Sequence, residues 1–158
     1  MKQNFKPNYV VIPALVALTS ALGSAITNTG LREWYQTLNF PSFTPPGSVI
    51  GAVWTVLFIL SAISILLVWN NTKHDTRFSV IVEFFILNGL LNISWSALFF
   101  GRHEVGIAVW GAALLGLSVF VLMWLIWPRS RVAALLLLPY ALWVTFATYL
   151  TYSIYIIN

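Results

Sequence analysis

Pro46 to Trp69 reads PGSVIGAVWTVLFILSAISILLVW and carries no charged side chain. A helix needs about 20 apolar residues to cross about 30 Å of hydrocarbon, and this run is long enough. A closed β-barrel is the other way to satisfy backbone groups in lipid, but its strands alternate apolar and polar residues. This run does not alternate, and neither does Ala134-Leu-Leu-Leu-Leu-Pro139. Helices are therefore expected. Outward from this stretch, four more apolar runs lie between charge-bearing breaks. Together the five predict an all-α membrane bundle with helices at about 9–28, 46–69, 78–100, 105–127 and 132–157. Five spans use nearly all of the 158 residues, so one membrane domain covering 1–158 is expected.

Composition agrees. Hydrophobic residues make up 59% and charged residues 8%, against about 45–50% and 25% in soluble domains. Mean hydropathy is +0.87. Four acids and eight bases cannot cover a soluble globule. The net charge of +4 comes from bases scattered singly or in pairs, which is no nucleic-acid footprint. No cysteine is present, which excludes disulfides, thiolate metal sites and cysteine nucleophiles. Lys2 and Lys6 before an apolar run, with Ala21-Leu22-Gly23 beyond, also suit a signal peptide. That reading is the weaker one, because spanning character continues past the site.

Bases set the expected topology. Lys2, Lys6, Lys73, Arg77, Arg129 and Arg131 fall on one side, Arg32 and Arg102 on the other. The positive-inside tendency then puts the N-terminus in the cytoplasm and the C-terminus outside. The first loop, Thr29 to Pro45, shares the outer side. It carries Trp34, Tyr35, Phe40 and Phe43 among prolines, and so much aromatic surface should be packed on something.

Chemistry-bearing residues are few. Glu83 is the one acid inside an expected span and is read as paired with Arg77, Arg129 or Arg131. His74 and His103 fall in loops, away from any bundle-interior metal or haem site. No Ser/His/Asp set or nucleotide fingerprint is present. Aromatic surface is abundant instead: eight Trp, six Tyr and eleven Phe. Trp34, Trp69 and Trp127 sit near span ends, where indoles favour the headgroup level. Trp54 lies inside the second span with Phe58 one turn on. Asn88, Asn92 and Trp95 share one helical face. Buried carboxamides need partners, so Asn88 is read as lining a cavity and Asn92 as bonding a neighbouring helix. Both are kept among the ligand-contacting candidates. Pro139, expected to kink the last span, begins a comparable face with Trp143, Phe146, Ala147 and Leu150. Gly47/Gly51, Ser20/Ser24 and Ala112/Gly116 are small-xxx-small pairs read as packing features. An aromatic cavity with a few amides suits a large, flat, mostly apolar ligand.

These residues fall in blocks. Trp34-Tyr35, then Pro41-Ser42-Phe43-Thr44-Pro45-Pro46-Gly47 and Gly51-Ala52-Val53-Trp54-Thr55-Val56-Leu57-Phe58 form the first. Asn88-Gly-Leu-Leu-Asn92-Ile-Ser-Trp95-Ser-Ala-Leu-Phe99-Phe100-Gly101 follows. Pro139-Tyr140-Ala-Leu-Trp143-Val-Thr-Phe146-Ala147-Thr148-Tyr149-Leu150 and Asn158 complete the set. The ordered set resembles the TspO/MBR family, the tryptophan-rich sensory proteins and translocator (peripheral-type benzodiazepine receptor) proteins. The resemblance implies a five-helix bundle, a homodimer in the bilayer, and a pocket closed by the first loop as a lid. It implies binding of porphyrins such as protoporphyrin IX, and of isoquinoline and benzodiazepine drugs. It implies pocket residues Tyr35, Pro45, Trp54, Phe58, Asn88, Trp143 and Ala147. The cholesterol motif of animal members is incomplete here, since no base follows Leu150-Thr-Tyr152. A bacterial cell-membrane member is therefore expected.

The leading expectation is a tetrapyrrole-binding membrane receptor. Its enzyme-like variant is light-dependent porphyrin degradation, with Trp54 and Trp143 as redox partners and no conventional catalytic residues. Porphyrin would be ligand or substrate, and no cofactor is required. The alternatives are a transporter of porphyrin or sterol-like ligands and a regulatory membrane partner. A topology reporter fused after Asn158 should read as external; a cytoplasmic signal would overturn the assignment.

Overall fold

The computed structural model describes residues 6–158. It has five helical spans long and apolar enough to cross a membrane, and no strand among the described residues. Helix α1 is Asn8–Leu31, three residues longer than expected at its C-terminal end. A 3-10 turn follows at Tyr35–Thr37 in the first loop. Helix α2 is Gly47–Asn71, entered through Pro46. Helix α3 is Thr76–Ser96, with Asp75 as N-cap accepting from the Phe78 N–H. It continues through a π-turn at Ala97–Gly101. Helix α4 is Val105–Ile126.

The last span is two helices rather than one. Helix α5, Arg131–Leu136, starts at the Ser130 cap, and α6 is Leu138–Ile157. Pro139 cannot donate to the ladder, and its ring disfavours a helical residue before it. The chain therefore breaks at Leu137, whose N–H turns back to the Ala134 carbonyl at 3.1 Å.

The two halves of the bundle differ. The half nearest the α2–α3 connection is solid, built on Val68, Ile81, Leu122, Ile126, Leu137 and Val144. Ser64 joins α2 to α5 by donating to the Ala133 carbonyl at 2.8 Å. Helices α4 and α6 approach closely where α4 carries Ala112 and Gly116; a Cβ on Gly116 would meet Val144 at 3.5 Å. The other half is thinner. Phe99, Phe100, Ala108, Leu150 and Ile154 form its core, and Trp34, Tyr35, Leu38 and Phe40 of the first loop pack onto it. Asn158 joins that loop to α6: it accepts from the Asn39 N–H at 2.8 Å and donates to the Asn39 carbonyl at 3.0 Å. Loop and C-terminal helix end thus share one end of the bundle.

Two expectations need correction. Glu83 is exposed and takes part in no ion pair among the described residues. Its supposed partners are committed elsewhere. Arg129 pairs with Asp75 at 2.6 Å, Arg77 donates to the Leu125 carbonyl at 3.0 Å, and Arg131 lies over the Trp127 ring. The Arg129 hydrogen bond, seconded by the Phe78 N–H, holds the Asp75 carboxyl below its usual range. Trp34 is no simple belt residue, because it stacks on His103 with centroids 4.2 Å apart. Trp110 and Trp124, 73% and 71% exposed, are the most exposed indoles. They sit near opposite ends of α4, where a belt would place them.

Gly30 is where α1 crosses the π-turn. A Cβ there would collide with the Phe100 carbonyl, whereas one on Gly51 would meet nothing within 4 Å. Gly30→Ala should cost about 1–3 kcal/mol through overpacking, read as a lowered melting temperature in detergent. Gly51→Ala should not lower it. Equal melting of the two variants would contradict this packing.

Candidate ligand-binding site

A cavity of about 330 Å³ lies in the thinner half, bounded by α1, α2, α3 with its π-turn, α6 and Tyr35 of the lid. Helix α2 contributes the residues spaced for one face: Gly47, Ile50, Gly51, Trp54, Thr55 and Phe58. From α6 come Trp143, Phe146, Ala147, Leu150, Thr151 and Ile154. The walls differ in exposure. Asn92, Ser96, Phe99, Leu150 and Thr151 are buried, whereas Ser24, Asn28, Gly47, Gly51 and Thr55 are exposed. The α3/α6 side is therefore the back of the cavity and the α1/α2 side its open edge.

Aromatic rings form a continuous wall. Trp54 lies 5.9 Å from Phe58, 6.4 Å from Trp95 and 5.9 Å from Tyr140, centroid to centroid. Trp95 stacks on Phe99 at 5.7 Å, and Trp143 touches Phe146 at 5.4 Å. Such offset and edge contacts fix ring positions and leave flat faces along the cavity. The buried indole N–H groups of Trp95 and Trp143 have no partner among the described residues.

The lid is held on several sides. Phe43 stacks on Tyr149 at 5.5 Å, and Tyr35 packs on Phe40 and Phe100. Trp34 is clasped between Phe99 and His103, a residue with positive φ. Burial pushes the Tyr35 phenol above its ordinary value, so it stays a neutral hydrogen-bonding group at physiological pH.

Of the residues singled out from sequence, Tyr35, Trp54, Phe58, Asn92, Trp143, Phe146, Ala147 and Leu150 line the cavity. Pro45 and Asn88 do not. Pro45 lies just before the helix entry, and Gly47 is the first α2 residue to reach the wall. Asn88 is turned into the helix interface. Its Nδ2 donates to Ser118 Oγ of α4 at 2.8 Å, and its Oδ1 accepts from the Tyr140 hydroxyl of α6 at 3.1 Å. Asn92, read as interhelical glue, faces the cavity and reaches Tyr140 with one long bond of 3.4 Å. Gly47 and Gly51 are not packed on another helix but front open space. Helix α1 contributes as well: Ser20 and Ser24, expected as a packing pair, line the cavity together with Gly23, Thr27 and Asn28, which sequence reasoning did not single out. Their three- and four-residue spacing was the available signal. Ser96, Phe99 and Phe100 were also missed as wall residues.

An integral membrane bundle with a lidded aromatic cavity is the class of protein these features define. The profile of the TspO/MBR family matches residues 9–156, and the chain belongs to that family. It is 38% identical over 127 residues to the tryptophan-rich protein TspO of Bacillus cereus, covering 80% of this chain and 82% of that one. It is 36% identical over 148 residues to the tryptophan-rich protein TspO of Archaeoglobus fulgidus, covering 93% and 94%. The human translocator protein matches at 33% over 127 residues, covering 80% and 75%.

Asn88→Ala would leave the buried Tyr140 hydroxyl without its acceptor. An unsatisfied buried group costs about 1–3 kcal/mol, so the variant should melt lower in detergent. Unchanged melting would return Asn88 to a role outside the interface.

Proposed function

We propose that the protein binds porphyrin-type tetrapyrroles in this cavity, with the macrocycle against the indoles of Trp54 and Trp143. The observation that carries the reading is that both indoles, from helices distant in sequence, line one cavity together with Trp95, Phe58 and Phe146. Planar π systems stack on such faces, and a mostly apolar wall with a few polar groups is the usual make-up of a small-molecule site. The cavity is small for a whole macrocycle, so the ring would extend through the open α1/α2 edge. The family's lidded fold supports the same reading, and the flat drugs expected from the resemblance would occupy the same space.

Light-dependent degradation is a further part of the proposal. An excited porphyrin takes an electron from a neighbouring indole. The porphyrin radical anion so formed passes its electron to dissolved oxygen as superoxide. The indole radical cation then recovers an electron from the macrocycle, and the porphyrin radical cation combines with superoxide, so that dioxygen adds to the ring and opens it while the indole is restored. No step needs a general acid or base.

Fluorescence-quenching titration with protoporphyrin IX should saturate for the parent. Trp143→Phe removes an indole N–H that already lacks a protein partner, so the bundle should stay folded. Trp54→Phe and Trp143→Phe should bind within about tenfold of the parent, the worth of one hydrogen bond. Both should lose most of the light-driven bleaching. Trp69→Phe, at a residue that does not line the cavity, should do neither. Parent-rate bleaching in both pocket variants would reduce the indoles to walls, and no saturable quenching at all would overturn the binding reading.

A further inference from the structure

Asn92 and Ser96 sit one helical turn apart on α3 and are 5% and 4% exposed. Both line the cavity. The Ser96 hydroxyl has no hydrogen-bond partner among the described residues, and Asn92 makes one bond, from Nδ2 to the Tyr140 hydroxyl. Asn92 Oδ1 is left unpaired. Across from them α1 carries Gly23. A Cβ built there would lie 3.6 Å from Ser96 Oγ and 3.7 Å from Asn92 Oδ1, so the missing side chain leaves both atoms uncovered. Two uncovered polar atoms side by side on a mostly apolar cavity wall mark a place where a ligand's polar group fits.

The hydrogen-bond network behind Asn92 determines which of its two amide ends faces the cavity. The network begins at an atom that can only accept, the Leu115 carbonyl oxygen. The Ser118 hydroxyl donates its single proton there, at 2.7 Å. Ser118 Oγ can then only accept from Asn88, so the Asn88 NH₂ group points at it, at 2.8 Å. Asn88 Oδ1 is thereby turned to Tyr140, whose hydroxyl must donate, at 3.1 Å. The Tyr140 oxygen has only acceptor capacity left, and Asn92 meets it with NH₂, at 3.4 Å. The carbonyl end of Asn92 is what remains for the cavity. One fixed backbone carbonyl on α4 thus sets the direction of every bond through α6 to α3.

Resting on the reading of this cavity as a binding site, we propose that Asn92 Oδ1, flanked by the Ser96 hydroxyl, selects ligands whose flat apolar body carries an uncharged hydrogen-bond donor. Such a donor is a hydroxyl, an N–H or an un-ionised carboxyl. It would sit on the α1/α3 side beneath Gly23, opposite the Trp143 wall, and Ser96 can both donate to and accept from the same group. None of the described residues lining the cavity is charged, so a carboxylate would find no cation there to replace its water, whereas its protonated form would fit. Ligand specificity would thus be set in part by Ser118, a residue absent from the cavity wall.

The test is a pair of flat fluorescent probes, 1-pyrenemethanol and its methyl ether, which share the ring and the oxygen but differ in the donor, each compared after correction for its partitioning into empty nanodiscs. Binding to the protein in lipid nanodiscs is followed by energy transfer from tryptophan to pyrene. The parent should bind the alcohol about three- to tenfold tighter than the ether, the range of one hydrogen bond. Asn92→Leu should bring the ratio close to one by weakening the alcohol alone. Ser96→Ala, which leaves the network intact, should keep a preference for the alcohol. A ratio near one in the parent overturns the proposal whether or not the variants fold. So does an undiminished preference in Asn92→Leu, or its loss in Ser96→Ala. Protoporphyrin IX titrated in parallel reports separately on tetrapyrrole binding: saturable quenching beside a probe ratio of one would sink only the donor rule.

Discussion

The Leu115 carbonyl oxygen of α4 is the fixed point of this bundle. Within hydrocarbon no water can satisfy a stray polar group, so amides and hydroxyls on the buried faces favour partners within the protein. Ser118, Asn88, Tyr140 and Asn92 do so in one directed series that links α4, α3 and α6. Apolar contact alone gives helices little reason to associate in lipid. The series therefore fixes the rotation of three helices about their axes. Ring positions in the cavity depend on it, because Tyr140 carries the network and also packs edge-on against Trp54.

The contrast between the halves of the bundle follows from where side-chain bulk is placed. In the solid half, branched and small residues interdigitate at Val68, Ile81, Val119, Ala133 and Ala141. In the other half, α1 and α2 place the small, exposed residues Ser24, Gly51 and Thr55 along the open edge of the cavity, and a Cβ on Gly47 or Gly51 would meet nothing within 4 Å. Large rings on the back wall hold the void open, since Trp95, Phe99 and Phe100 brace each other in stacked and edge-on contacts. The π-turn at Ala97–Gly101 helps by bringing the Phe100 backbone against Gly30, so that α1 is pinned at the lid end.

Much of this was legible in the chain. Uncharged runs such as Pro46 to Trp69 announce their spans, and helical spacing alone puts Trp54 with Phe58 and Trp143 with Ala147 on shared faces. Asn88 and Asn92 were recognisable as neighbours on one face. Which of them meets the cavity depends on Ser118 and Tyr140, 30 and 48 or more residues away, and no local pattern carries that. Glu83 was assigned a partner because bases lie on its side of the bundle, yet each base already had a closer acceptor or ring. The α1 wall was hidden for a different reason. Serine and glycine at three- and four-residue spacing read equally as tight packing and as an opening, and only the neighbouring helix decides between them.

The proposed binding mode places a flat ligand inside the bundle, between the α1/α2 edge and the indoles of α2 and α6. Crystals grown with zinc protoporphyrin IX would locate the macrocycle through anomalous scattering at the zinc edge. The expected result is a zinc peak within the cavity, with the ring against Trp54 and Trp143. A peak on the lipid-facing side of α4, beside Trp110 or Trp124, with the cavity empty, would contradict it.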